Sequence, residues 1–308
     1  MASMFPNNLY TLHQAGSLCK CCSRPGDFAQ ILTTVPRRGS QAFGIKLAPY
    51  PAVVQIAKSA GFDALFIDLE HSTLSISDAS QLCTTGLLAG ITPFVRVPYQ
   101  CGNGLVQRVL DGGAMGVVFP HVSTRGRYTA SSARVCANNR LTLCPEEATS
   151  AVSICKYPPA GTRSMTGQLP QFSYTARPHE TVIAESNSRG STVFVMIETA
   201  QAIENVDAIA SVEGADVLLV GSNDLSIELG VPAQFESPVF REALEKVSRA
   251  CKANGKIMAL GGIYDKPDIQ RWAVHELGVR WILGGQDSSF IAKGAAGCMD
   301  ALRGVERR

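Results

Sequence analysis

The stretch Ala60-Gly61-Phe62-Asp63-Ala64-Leu65-Phe66-Ile67-Asp68-Leu69-Glu70-His71-Ser72 holds the pattern on which the rest of the chain is built. Gly61 stands where a helix over 51–60 has to stop, because a left-handed C-cap is cheap for a residue without a Cβ. The apolar run over 64–69 is nearly continuous, the mark of a parallel strand buried on both faces. It closes in Asp68, Glu70 and His71, which are set directly against buried residues. Desolvating such groups is costly, so they are expected to be paired or to coordinate something.

Outward from this stretch the same cycle recurs. Strands are predicted over 43–47, 64–69, 93–97, 116–120, 193–197, 216–220, 257–260 and 281–283. Helices are predicted over 51–60, 77–89, 104–111, 146–155, 200–210, 238–253 and 267–277, and Gly90, Gly255 and Gly278 repeat the stop signal of Gly61. Roughly eight βα units in 308 residues is the arithmetic of a (β/α)₈ TIM barrel, an α/β fold whose active site lies at the C-terminal strand ends. An open doubly wound sheet is disfavoured, because no Gly-x-Gly-x-x-Gly follows the first strand.

Composition agrees with a packed core: 45% of residues are hydrophobic and 18% charged. No apolar run approaches the roughly 20 residues needed to span a bilayer, so no membrane partner is expected. The ten cysteines are scattered, and no leader-like segment is recognisable, which points to a reducing, cytoplasmic setting. Cys83, Cys155, Cys251 and Cys298 fall on helical patterns and read as core thiols. The formal charge of +2 is uneven: residues 21–41 and 125–145 together carry seven arginines and one acid, a net +6, which leaves the remainder at −4. No basic face with interleaved aromatics is left, and nucleic acid is not expected as a partner.

Polar groups close several of the predicted strands. Arg96 ends Phe94-Val95-Arg96, His121 follows the fourth strand, Glu198 ends the fifth, and Asp224 follows the sixth. Two carboxylates from successive strands, Glu198 and Asp224, suit a hard octahedral ion such as Mg²⁺ or Mn²⁺ that keeps positions open for an oxygen-donating 2-oxo acid. Gly221-Ser222-Asn223 offers backbone N–H groups for a carboxylate. Arg96 is placed to neutralise a developing enolate oxygen. Asp68 and His71 are read as an oriented base, and Glu70 as an acid behind the first layer of contacts. His121 has no evident partner. Gly161 and Arg163 either bind the substrate carboxylate or seal a loop.

At these residues the chain resembles the HpcH/HpaI aldolase/citrate lyase family, the class II metal-dependent pyruvate aldolases, with fungal members of the macrophomate-synthase kind most similar. The motifs are AGFDALFIDLEHS, TPFVRVP, YPPAGTRS, MIETAQAIENVDAI and GADVLLVGSNDLSIELGVP, spread over about 42–287. The resemblance implies a barrel with a divalent ion (Mg²⁺ or Mn²⁺, with Co²⁺ a further option) on Glu198 and Asp224. It implies Arg96 as the enolate-stabilising cation and His71 with Asp68 in proton transfer. The implied reaction is cleavage of a 4-hydroxy-2-oxo acid to pyruvate and an aldehyde through the pyruvate enolate. The alternatives are oxaloacetate decarboxylation with the same enolate, or an inactive scaffold barrel. It also implies a homo-oligomer, a hexamer, that exchanges the C-terminal helix, here 288–303.

Three departures stand out. Met196 occupies a position where many members carry a substrate-contacting glutamine, and Arg163-Ser164-Met165-Thr166 departs from the family's Arg-Gly-x-Gly. The third is the pair of Arg-rich segments. One barrel domain is expected over 1–308, with a core over about 42–303, in which 21–41 and 125–145 are insertions or retained-intron segments. Loops that long without structure of their own are uncommon in compact barrels.

Overall fold

In a computed structural model, which describes residues 4, 5, 7, 9, 39–123 and 147–306, eight parallel strands close into a barrel in the order β1 to β8. They are β1 (Ser40–Ile45), β2 (Ala64–Asp68), β3 (Thr92–Arg96), β4 (Gly116–Phe119), β5 (Thr192–Ile197), β6 (Val217–Gly221), β7 (Ile257–Gly261) and β8 (Trp281–Gln286). The helices on the outside are α1 (Ala52–Ser59), α2 (Ile76–Ala89), α3 (Asn103–Asp111), α4 (Glu147–Cys155), α5 (His179–Glu185), α6 (Ala200–Glu204), α7 (Val206–Ala210), α8 (Ser222–Glu228), α9 (Pro238–Asn254), α10 (Pro267–Trp272) and α11 (Asp287–Glu306). The TIM barrel expected from the repeating cycle is what the chain forms. Gly61, Gly90, Gly255 and Gly278 all have positive φ, as the stop signals require. Helix α5 and the short turn Pro170–Phe172 were not anticipated, being too short to show a full apolar period.

Period-2 alternation sorts the strand residues into two cores. Val95, Val117, Val195, Ile197, Leu218 and Val220 pack outward against the helices. Ala42, Ala64, Phe66, Phe94, Val118, Phe194, Leu219, Ala259 and Trp281 fill the barrel. Phe194 stacks edge-on against Trp281, with centroids 5.5 Å apart, and Phe94 sits 4.8 Å from Phe194. Met4 and Leu9 join this inner cluster. Continuing the inward parity by one more step brings Lys46, Asp68, Arg96 and Glu198 to the rim at the C-terminal strand ends. That is why charge is concentrated there.

Asp287, at the start of α11, fastens the seam between β1 and β8. Its buried carboxylate accepts the backbone N–H groups of Lys46 (3.1 Å), Leu47 (2.9 Å), Ala48 (2.7 Å) and Ser288 (2.7 Å). Asp287→Ala strands those donors and is expected to cost on the order of 3 kcal/mol, read as a lower midpoint in denaturant unfolding.

Cys83, Cys155 and Cys251 are buried, and burial raises their pKa, that of Cys155 and of Cys251 to about 12. Cys298 is exposed, correcting its reading as a core thiol: the helical pattern there belongs to α11, whose residues from Phe290 to Val305 face outward. No helix among the described residues is long and apolar enough to cross a membrane.

Of the two Arg-rich segments, 21–38 and 125–145 lie outside the described residues. Ser40 and Gln41 open β1 opposite Trp281 and Ile282. The ends flanking the second segment meet, since the Ser123 backbone N–H donates to the Glu147 carboxylate at 2.7 Å.

Candidate active site

A cavity of about 280 Å³ opens at the C-terminal end of the barrel, lined by Asp68, Arg96, Glu198 and Asp224 together with Lys46, His71, Met196, Gly221, Ser222 and Asn223. A larger groove, about 620 Å³, adjoins it across His121, but among its described lining residues Glu147 is the one carboxylate and no Lys or Arg is present. The charged chemistry is in the smaller cavity.

Its central pair follows from strand register. Asp68 and Arg96 stand opposite each other where β2 pairs with β3. Arg96 grips the Asp68 carboxylate with two hydrogen bonds, Nε to Oδ1 at 2.9 Å and Nη2 to Oδ2 at 2.6 Å, while Nη1 approaches Glu70 Oε2 at 3.3 Å. The guanidinium also lies over the Phe66 ring, 5.3 Å from its centroid. Burial by itself raises the pKa of the Asp68 carboxyl, but the hydrogen bonds and charge of Arg96 reverse this and hold it below the usual carboxylate range.

This arrangement corrects one expectation. Asp68 does not orient the His71 imidazole: its carboxylate is taken up by Arg96 and by the backbone N–H groups of Glu70 and His71. The imidazole instead faces Glu70, with Nε2 3.9 Å from Oε2, and its side chain is 58% exposed. Asp68 shapes the turn that carries His71 and locks the cation.

Glu198 occupies the opposite wall. Oε1 accepts the backbone N–H of His121 at 2.5 Å and lies 3.2 Å from its Nδ1. The left-handed backbone of His121 (φ 53°) turns that N–H inward, so His121, undecided on sequence, is a second-wall contact of Glu198. Oε2 is buried with no hydrogen-bond partner among the described residues. Burial, reinforced by the negative charge of Asp224, raises the Glu198 pKa to about 7 against the opposing pull of His121 and Arg96. A buried oxygen without a donor, beside a second carboxylate, fits a hard divalent cation. Among the described residues no group of three His, Cys, Asp or Glu side chains is arranged to hold an ion. Gly221 provides the room: a Cβ there would lie 2.4 Å from Oε2.

Ser222 and Asn223 line the cavity at the start of α8, and Ser222 Oγ is buried without a hydrogen-bond partner among the described residues. Met196 faces the same space. Arg163 does not. It is buried against Asp111 (Nη2 to Oδ1, 2.7 Å) and over the Tyr157 ring, 4.6 Å from the centroid. Asp111 closes α3, at the end of the barrel remote from the cavity, so of the two roles open to Arg163 the structure shows the sealing one: it packs there and does not line the cavity. Lys46, Tyr264 and Gln286 line the cavity without having been singled out on sequence. The inward parity of Ala42, Gly44 and Lys46 was a signal for the first; loop placement hid the second.

A closed barrel with a clamped guanidinium and a carboxylate pair lining one cavity at the C-terminal strand ends has the arrangement of a barrel enzyme's active site. The chain belongs to the HpcH/HpaI aldolase/citrate lyase family, whose description matches residues 47–137 and 141–291, and it is a carbon–carbon lyase of the aldolase class. It is 46% identical to a 4-hydroxy-4-methyl-2-oxoglutarate aldolase of Chaetomium globosum over 98% of this chain and 97% of that one. It is 52% identical to a 4-hydroxy-4-methyl-2-oxoglutarate aldolase of Hapsidospora irregularis over 86% of this chain and 91% of the other. Its fold superposes on an HpcH/HpaI aldolase from Desulfitobacterium hafniense with a TM-score of 0.75 at 26% identity, covering 86% of this chain and 93% of that one. The family is generally dependent on a divalent metal.

Proposed function

We propose that this lyase cleaves 4-hydroxy-4-methyl-2-oxoglutarate, or a close 4-hydroxy-2-oxo acid, to pyruvate and a second carbonyl fragment, with Mg²⁺ or Mn²⁺ at Glu198 and Asp224. The observation that carries the reading is the buried, unbonded Oε2 of Glu198 beside Asp224 and above Gly221. The names of both fungal relatives support the substrate.

When bound, the ion supplies Lewis-acid polarisation of the 2-oxo group. Arg96 has five N–H bonds, of which two are donated to Asp68, while Nη1 is ion-paired with Glu70; the N–H groups left over stabilise the 2-oxo oxygen as negative charge develops on it. Backbone N–H groups of Gly221, Ser222 and Asn223 hold the adjacent carboxylate. His71 accepts the proton of the 4-hydroxyl. The C3–C4 bond then breaks, its electron pair stays with C3 as the enolate of pyruvate, and C4 becomes the carbonyl of the departing fragment. The proton returns from His71 to C3. Glu70, between Arg96 and His71, orients both.

In D₂O, purified protein with Mg²⁺ is expected to exchange the methyl protons of pyruvate, followed by proton NMR, and to release two equivalents of pyruvate from 4-hydroxy-4-methyl-2-oxoglutarate. Absence of exchange overturns the lyase mechanism. Undiminished exchange after chelation overturns its metal.

A homo-oligomer, a hexamer with an exchanged α11, belongs to the same proposal. Its support is the exposure of Ile291, Met299, Leu302 and Val305 along that helix and an apolar groove of about 600 Å³ between α1 and Phe290. A cytoplasmic setting is supported by the buried free thiols. The reading of 125–145 as an insertion is supported by the Ser123–Glu147 bond, which closes the frame around it. Mature transcript that retains 21–41 and 125–145 in frame overturns the retained-intron form of that reading.

A further inference from the structure

We propose that Lys46 forms a carboxylate subsite that selects substrates bearing a second acid group at the end remote from the 2-oxo carbonyl. The proposal rests on the lyase reading above and names the chemistry of the fragment that leaves.

Ala42 lies in the barrel interior, and the same parity carries through Gly44 to Lys46, which lines the cavity shared by Arg96, Glu198 and Asp224. Lys and Arg cations among the cavity's described lining residues are Lys46 and Arg96. Arg96 is committed to Asp68 and Glu70. Lys46 is half-buried, and its ammonium makes no hydrogen bond or ion pair with any described residue. Its backbone is nevertheless fixed, because Asp287 Oδ1 accepts its N–H. The cavity therefore holds an anchored residue with an uncommitted ammonium, facing a wall that carries Asp68, Glu198 and Asp224.

A dicarboxylate substrate presents two acids to this space. The one beside the 2-oxo group is met by the Gly221–Asn223 backbone. The other enters among three protein carboxylates and requires a cation, and Lys46 supplies it with three rotatable donors. After C3–C4 cleavage this second acid stays on the departing fragment, so Lys46 holds a 2-oxo acid product rather than a simple aldehyde.

The test uses the full chain with Mg²⁺ and compares kcat/KM for 4-hydroxy-4-methyl-2-oxoglutarate with that for 4-hydroxy-2-oxopentanoate, whose tail is neutral. In Lys46→Met the ratio of the two is expected to fall roughly 100-fold, mainly through KM for the dicarboxylate, as suits loss of one charge-assisted contact. Lys46→Arg is expected to recover most of the ratio. A ratio within about twofold of wild type in Lys46→Met overturns the subsite while leaving the lyase reading standing. Failure of the wild-type protein to exchange pyruvate protons overturns both.

Discussion

Replacing Arg96 with alanine is expected to abolish pyruvate proton exchange and to destabilise the barrel in the same variant. The activity loss is put at about 1,000-fold or more, the scale seen when a preorganised donor to a developing oxyanion is removed. The stability loss has a separate cause. Asp68 is 1% exposed and satisfied chiefly by Arg96, so Arg96→Ala leaves an uncompensated buried carboxylate, at a cost of about 3–5 kcal/mol. The two effects are separable in the double variant Asp68→Asn, Arg96→Met. An asparagine Oδ1 still accepts the Glu70 and His71 backbone N–H groups, and replacing a buried ion pair with neutral groups is often close to neutral for stability. The double variant is expected to unfold near the wild-type midpoint and to remain inactive. Exchange above a tenth of the wild-type rate in either variant would remove Arg96 from the mechanism.

Glu198→Gln is expected to destroy activity while making the metal-free protein more stable at alkaline pH. The sign follows from the raised pKa. An unfolded glutamate loses its proton near pH 4.5, whereas Glu198 in the fold keeps it until about pH 7. Below pH 4.5 both states are protonated and the group contributes nothing. Between these values the folded state holds a proton that the unfolded chain has released, so stability falls as pH rises, and above about 7 the full cost is present. That cost is on the order of 3 kcal/mol. Glutamine preserves the acceptor for the His121 N–H and has no charge to desolvate. Its melting temperature is therefore expected to match wild type at pH 4.5 and to exceed it by roughly 5 °C at pH 8 without metal. With the ion held at Glu198 as proposed above, added Mg²⁺ is expected to reverse the ranking, because wild type would gain stability by mass action and the variant would not. A variant less stable than wild type at pH 8 in chelator would show that the buried carboxylate is compensated by the protein alone.

Arg96 and Glu198 were both legible in the sequence, and for the same reason. Each terminates a run of buried residues, and a charge directly after such a run is conspicuous. Lys46 occupies the equivalent place after β1 but is not conspicuous, since the strand predicted over 43–47 runs past the observed end at Ile45 and includes it. Asp68 is equally conspicuous, but its partner is not. His71, three residues away, is near in sequence, whereas Arg96 is brought to it by the β2–β3 register. Arg163 shows the opposite failure: its charge was visible, but nothing local told which end of the barrel would bury it against Asp111.

The order of strands and helices, the stops at glycine and the set of polar groups at strand ends were fixed by the chain alone, because periodicity and capping are properties of neighbouring residues. Closure of the barrel determined which of those groups meet. The pairing of Asp68 with Arg96, the turning of the His121 N–H onto Glu198, and the anchoring of Lys46 through Asp287 join residues 28, 77 and 241 positions apart. Contacts over such separations depend on how twisted strands come into register around a closed sheet, and no local pattern carries that information.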